Sequence, residues 1–333
     1  MLFDAHLDLA YLAENGRDMA CPLDVGAGPH PPAAVTFPEL TSGGVTACLG
    51  TIFTEAGGTD AVAYPMGDAH AAHAAGMRQL EQYQRWNSEG LIRLSRRPGS
   101  EQGGPVSVGI LMECADPIRT PDELDWWADR GVIAVGMAWA RGSRYATGNS
   151  PDSFGSGVGL TDIGRELVRR IDARALIHDA SHLSDRALDD LLSLTTGRVM
   201  ASHSNCRALL SKADDPRLLP RHLADAQIEE ITRRGGVIGL NLYGKFLNGS
   251  PDRRPTLDDA VAHIEHICRV AGHRNGVGLG SDLDGGFSAD KLPQGITRAR
   301  DLPRLLDALR AKGWNSADAA GFAFKNWGSF LSP

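Results

Sequence analysis

The sequence predicts an α/β fold, a (β/α)8 TIM barrel, and three observations predict it. Short apolar runs alternate with amphipathic segments from one end of the chain to the other, the pattern of parallel strands joined by helices. No Pro/Ser-rich linker interrupts that alternation, so residues 1–333 read as a single barrel domain of ordinary length for the fold. Histidines and carboxylates also recur just after the apolar runs, which in a parallel sheet is one common face.

Leu2 to Leu9 reads as the first strand and runs into His6 and Asp8; Gly and Pro from Tyr11 to Pro38 predict a long loop. Val45 to Phe53 is the second strand, followed by a helix over Gly67–Glu89, on which His70 and His73 are surface or satisfied polar residues. The cluster Arg93, Arg96 and Arg97 reads as a solvated helix end. Val106 to Met112 is the third strand and delivers Glu113; Thr120-Pro121 opens a short helix to Asp129. Val132 to Ala138 is the fourth strand, and the polar stretch Arg141–Gly159 after it is a second long loop of the kind that shapes a site. Gly155, Gly157 and Gly159 lie too far from a strand to form a dinucleotide fingerprint.

A helix over Thr161–Ile171 leads to Ala175–Ile177, His182, the helix Leu183–Leu194, Val199–Ala201 and His203. Here Ala-Ser-His occurs twice, 21 residues apart, after consecutive strands. A helix over Ala224–Arg234 stops at Gly235-Gly236 and precedes strand seven, Val237–Asn241. The helix Leu257–Val270 precedes strand eight, Val277–Gly280, and Arg298–Lys312 and Ser316–Phe324 are helical. His178, His263 and His266 read as exposed, and Cys114 and Cys206 as small packing residues.

A formal net charge of -7 argues against nucleic acid or an anionic membrane as partner. No apolar run is long enough for a membrane span, and five dispersed cysteines without a C-x-x-C pair suit a reducing compartment. The cytoplasm is the expected location. There is no G-x-S-x-G elbow, phosphate-binding P-loop or H-E-x-x-H helix.

Taken singly, a His or Asp at a strand end is more often a cap or a satisfied core group, and Asp284 competes with Asp282 for any role in its turn. Independent caps, however, need not all fall on one barrel face. His6, Asp8, Glu113, His182, His203 and Asp282 do, and three histidines with three carboxylates exceed what one ion needs. They suit two divalent ions, about 3.5–4 Å apart, sharing a bridging carboxylate and a hydroxide.

The chain also resembles the membrane (renal) dipeptidase family of zinc metallopeptidases. The motifs are Asp4-Ala5-His6-Leu7-Asp8, Met112-Glu113, Asp179-Ala180-Ser181-His182, Ser202-His203-Ser204-Asn205, Asn241-Leu242-Tyr243 and Gly280-Ser281-Asp282-Leu283-Asp284-Gly285. The resemblance implies two zinc ions, one held by His6 and Asp8, the other by His182 and His203, with Glu113 bridging. It implies that Asp282 orients the bridging water and shuttles its proton, that Arg221 (or Arg217) grips the substrate's carboxylate, and that Tyr243 lines the same pocket. It further implies a homodimer and a dipeptide or similar small substrate with a free carboxylate.

Three positions depart from the family pattern. Leu9-Ala10 stands where a proline is usual, Cys114-Ala115-Asp116 follows Glu113 in place of paired glycines, and Trp139 occupies the position of a strand-four histidine. In the family that histidine helps hold the carbonyl oxygen in the transition state, whereas indole is a single uncharged donor. Arg141, Arg144 or Tyr145 is expected to compensate from the loop. Otherwise the substrate is an N-acyl amino acid or lactam-like amide, or the chain is a weakened, metal-binding homologue.

Overall fold

The computed structural model describes all residues except 27, 102, 154–156, 211–214, 251 and 333. Among the described residues, eight strands form the barrel: β1 (Leu2–Leu7), β2 (Val45–Ile52), β3 (Val106–Met112), β4 (Val132–Gly136), β5 (Ile177–Asp179), β6 (Arg198–Met200), β7 (Ile238–Leu240) and β8 (Val277–Leu279). They pair in parallel in the order β7-β8-β1-β2-β3-β4-β5-β6, and a parallel bridge from Ala201 to Ile238 nearly closes the ring. Glycine makes that seam, since a Cβ on Gly239 or Gly280 would run into the Ser202 carbonyl.

Large side chains fill the interior, as a barrel of this size requires. Phe3, Leu49, Leu111, Ile133, Ile177 and Met200 pack together with Trp327 and Phe330 of the C-terminal helix Asn326–Leu331. Trp327 donates its indole N–H to the Leu279 carbonyl at 2.9 Å. The N-terminal end of the barrel is thereby plugged, and chemistry is left to the opposite end.

β3 has the expected bounds; β5 begins two residues later than Ala175, which adopts a positive φ of 52° and cannot join the ladder. The expected loop from Tyr11 opens instead with a helix, Leu9–Glu14, whose Leu9, Ala10, Tyr11 and Leu12 are buried. Arg93 belongs to a short strand, Ile92–Leu94, paired with the start of β3, and Arg96 and Arg97 follow it; they are not a helix end. Residues 154–156 of the second loop, Gly155 included, and 211–214 ahead of Arg217 lie outside the described residues.

His178, His263 and His266 are buried, not exposed. His178 Nε2 meets Asp172 at 2.8 Å and His266 Nε2 meets Asp225 at 2.7 Å. His263 accepts at Nδ1 from the Cys206 amide (3.1 Å) and donates from Nε2 to the Leu247 carbonyl (3.0 Å). These partners require the neutral ring, and burial pushes its pKa down to about 4. An unfolded histidine takes up its proton nearer pH 6.5. Stability contributed here is therefore full above pH 6.5 and falls as pH drops from 6.5 towards 4, by about 3 kcal/mol at most. Urea unfolding of the wild type and H263Q at pH 7.5 and 4.5 should show a smaller loss in the variant; equal losses would refute this origin.

Candidate metal centre

The ladder between β5 and β6 pairs Ile177 with Arg198, His178 with Val199 and Asp179 with Met200, a constant offset of 21 residues. That is the spacing of the two Ala-Ser-His motifs, so His182 and His203 emerge side by side. Their Nε2 atoms lie 2.9 Å apart. β1 delivers His6, whose ring stacks on His203 at a centroid distance of 3.5 Å, and Asp8 follows at the strand end. The β2–β3 ladder pairs Ile52 with Met112, and the Glu113 amide donates to the Ile52 carbonyl, which aims the next side chain inwards. Glu113 Oε1 lies 3.6 Å from His6 Nε2, 3.2 Å from His182 Nε2 and 3.7 Å from His203 Nε2; His6 Nε2 lies 3.7 Å from Asp8 Oδ1. Among the described residues three overlapping triads result, His6–Asp8–Glu113, Glu113–His182–His203 and His6–Asp179–His203, each with ligand atoms within 4.8 Å of one another, and the first two share Glu113.

The donor set fits divalent cations. His6 Nε2 and Glu113 Oε2 are buried without a hydrogen-bond partner. Burial first, and then positive neighbours including Arg221, hold His6, His182 and His203 well below the usual imidazole pKa, so their lone pairs are available. Burial and neighbouring carboxylates push Glu113 and Asp282 well above the usual range, and burial pushes Asp8 up to about 6.

Asp179, read in the sequence only as part of a motif, is tied to two of the candidate ligands through Ser202. It accepts from the Ser202 amide at 2.8 Å and from the Ser202 hydroxyl at 2.6 Å. The same hydroxyl oxygen lies 3.1 Å from His6 Nδ1 and 2.8 Å from His203 Nδ1. With its proton committed to Asp179, Ser202 accepts from both rings. Each ring then carries its proton on Nδ1 and turns the Nε2 lone pair towards Glu113, as orienting partners of metal ligands do. The signal was the serine that precedes each histidine in Ala-Ser-His.

Asp282 also sits at the rim. It adopts a positive φ of 60°, its amide donates to the His6 carbonyl (3.2 Å), and its Oδ2 accepts from Asn241 Nδ2 (2.8 Å). A Cβ at position 285 would collide with its Oδ1, which accounts for Gly285. Asp284 is occupied elsewhere: fully buried, it pairs with Arg17 and accepts from the Ala34 and Val35 amides at 2.8 and 3.0 Å. Of the two aspartates, Asp282 is the one that lines the cavity.

Asp8, Glu113, His182, His203 and Asp282 line a cavity of about 470 Å³, within the range for small-molecule sites. Tyr11, Phe53, Trp139, Tyr243, Phe246 and Phe287 form its aromatic walls, with Glu55, Asp60, Arg217 and Arg221 as charged groups. Arg221 is 8% exposed; it donates to the His203 carbonyl at 2.9 Å and to Ser204 Oγ at 3.2 Å, while its Nε is unpartnered. Arg217 is exposed and paired with Asp215. The expected compensation for Trp139 does not occur as foreseen. Arg144 donates to the Arg119 carbonyl, Tyr145 is fully buried with its hydroxyl on the Ile118 carbonyl, and Arg141 donates to the Ala56 carbonyl; none of the three lines the cavity. The loop's own hydrogen bonds and core packing take these side chains away from the site.

A nearly closed parallel barrel with paired histidine–carboxylate triads at its C-terminal mouth defines a metal-hydrolase-type protein. The chain belongs to the membrane dipeptidase family, peptidase family M19, whose model matches residues 1–328. It is 33% identical over 202 residues to an uncharacterised protein from the pqqA 5′ region of Klebsiella pneumoniae, covering 59% of this chain and 70% of that one. It is similar to the crystal structure of a family M19 dipeptidase, with a TM-score of 0.81 at 26% identity, covering 99% of this chain and 97% of the other. A Rhodobacter sphaeroides metallopeptidase, crystallised with a phosphinate mimic of L-Ala-D-Ala, shares the fold with a TM-score of 0.81 at 24% identity, over 99% and 98% of the two chains. No helix among the described residues is long and apolar enough to cross a membrane.

Proposed function

We propose that this protein is a dinuclear zinc dipeptidase, and the observation that carries the reading is the pair of triads sharing Glu113 inside a cavity that also holds Asp282 and Arg221. Two divalent ions held by His6, Asp8, Glu113, His182 and His203 would supply hydroxide at neutral pH and polarise the scissile carbonyl. Asp282, held by Asn241, takes the hydroxide's proton and returns it to the leaving nitrogen. Arg221 recognises the free carboxylate of the substrate, since its guanidinium is anchored on the His203 carbonyl and Ser204 and a fixed fork suits a carboxylate. Tyr243, stacked on Phe287 at 4.5 Å, forms the adjoining wall. The reading includes a homodimer and a cytoplasmic location, the latter supported by five unpaired cysteines.

A second reading is hydrolysis of N-acyl amino acids or lactam-like amides. It is favoured by Trp139, which packs edge-on to Phe53 at 5.2 Å and offers an apolar surface to an acyl group. Glu55 and Asp60 on the cavity wall favour instead a substrate that keeps its ammonium group, and the dipeptide is preferred for that reason. A panel of L,L and L,D dipeptides against N-acyl amino acids decides the matter. N-acyl substrates winning by orders of magnitude in kcat/KM would reverse the preference.

The carboxylate assignment makes its own prediction. R221A should raise KM for dipeptides by about 10- to 100-fold, the value of a lost charge-assisted hydrogen bond, and R217A should change it by less than about threefold. The opposite ranking would move the assignment to Arg217.

A further inference from the structure

We propose that Asn149 donates the hydrogen bond that stabilises the carbonyl oxygen in the transition state, the role Trp139 leaves open at the end of β4. The inference rests on the amide-hydrolase reading and adds to it a catalytic residue from the loop after that strand.

The geometry places Asn149 between the two elements that matter. Its amide donates to the His182 carbonyl at 2.9 Å, and the next amide, Ser150, donates to the Ala140 carbonyl at 2.7 Å. The segment therefore runs alongside Trp139–Ala140 and beside His182 at once. Gly148 permits this approach, because a Cβ there would collide with the carbonyls of Trp139 and Ala140. Asn149 lines the cavity together with Trp139, Glu113 and His182.

Its side chain is built in, not solvated. Asn149 is 6% exposed, and its Oδ1 is buried without a hydrogen-bond partner. That oxygen can only accept, so the donor is the other end of the carboxamide, Nδ2, on a side chain that lines the cavity. A carboxamide suits an oxyanion: it offers two N–H donors, carries no charge and does not titrate, so it adds no repulsion to a site expecting cations. Arg144 and Tyr145 of the same loop are engaged elsewhere.

In the step itself, the hydroxide oxygen bonds to the carbonyl carbon and the π pair moves onto the carbonyl oxygen. The Asn149 N–H donates to that oxygen without giving up its proton. When the pair returns, the C–N bond breaks and the departing nitrogen takes the proton carried by Asp282.

The test compares metal-loaded wild type with N149A, N149D and W139F, using a dipeptide substrate, the corresponding tetrahedral phosphinate dipeptide analogue, and metal content per chain. The expected result for the Asn149 variants is a fall in kcat of about 10²–10³-fold with KM nearly unchanged. Phosphinate affinity should weaken by a similar factor, and metal content should stay at the wild-type value. N149D, which keeps the shape and removes the donor, should lose at least as much as N149A, and it decides the assignment if the alanine variant does not fold. Variants within threefold of wild type in both kcat and phosphinate affinity would overturn the assignment, as would a loss confined to W139F. A wild type that hydrolyses dipeptides while N149A matches it rejects Asn149 alone. A wild type that hydrolyses no amide and binds no phosphinate rejects both this inference and the function it rests on.

Discussion

Stripping the protein of metal is expected to reduce dipeptide hydrolysis by more than about 10⁴-fold, because bulk water has a pKa of 15.7 and metal-bound water about 7. Re-addition of zinc should restore activity with two equivalents per chain, since Glu113 serves both triads. The same triads should make folding metal-dependent. At free metal 1,000 times Kd, binding to the native state alone adds about 4 kcal/mol, read as a fall in melting temperature after chelation. Glu113→Gln removes the carboxylate common to both sets and should cost both equivalents, whereas His182→Ala should cost one. Saturation at a single equivalent would refute the dinuclear reading and leave the barrel's identity untouched.

Asp282→Asn should lower kcat by about 10²–10⁴-fold, the range for a positioned acid–base group, while both metals stay bound. The asparagine keeps the hydrogen bond to Asn241 only by turning its carbonyl oxygen towards that amide, so the local fold is preserved and the proton acceptor is lost. Stopped-flow measurement with one dipeptide, together with metal analysis of the same sample, separates the two roles. A variant that retains wild-type kcat would remove Asp282 from proton transfer. A variant that has lost metal would make it a ligand.

The fold was legible because the barrel repeats one signal, an apolar run followed by an amphipathic helix, and β3 emerged with its bounds intact. The helix Leu9–Glu14 was hidden by the Gly and Pro that follow it, although Leu9 to Leu12 are all buried. The five candidate ligands and Asp282 could be assembled on one face because parallel strands place all their C-terminal ends together. What could not be read is anything decided by a side chain's partner. His178, His263 and His266 carry the spacing of an exposed face, yet Asp172, Leu247 and Asp225 supply the contacts that allow their burial. Asp179 was legible only as a motif residue, and the three-way position of Ser202 reveals what it holds in place. Asn149 gave no signal within a loop of glycines and serines.

The placement of β1 bears on how this centre comes into being. Of the eight barrel strands, the one that carries His6 is made first and leads directly to Asp8, yet one of its two neighbours is β8, residues 277–279. Until β8 has been synthesised, β1 is an edge strand, and edges of this kind invite wrong pairing. Asp282 follows β8 directly and leaves the ribosome after all five candidate ligands. On the proposed function, chains truncated before it would carry all five candidate ligands without the proton carrier assigned to Asp282. High contact order of this sort slows folding, and the joining of β1 to β8 is the step that removes this edge.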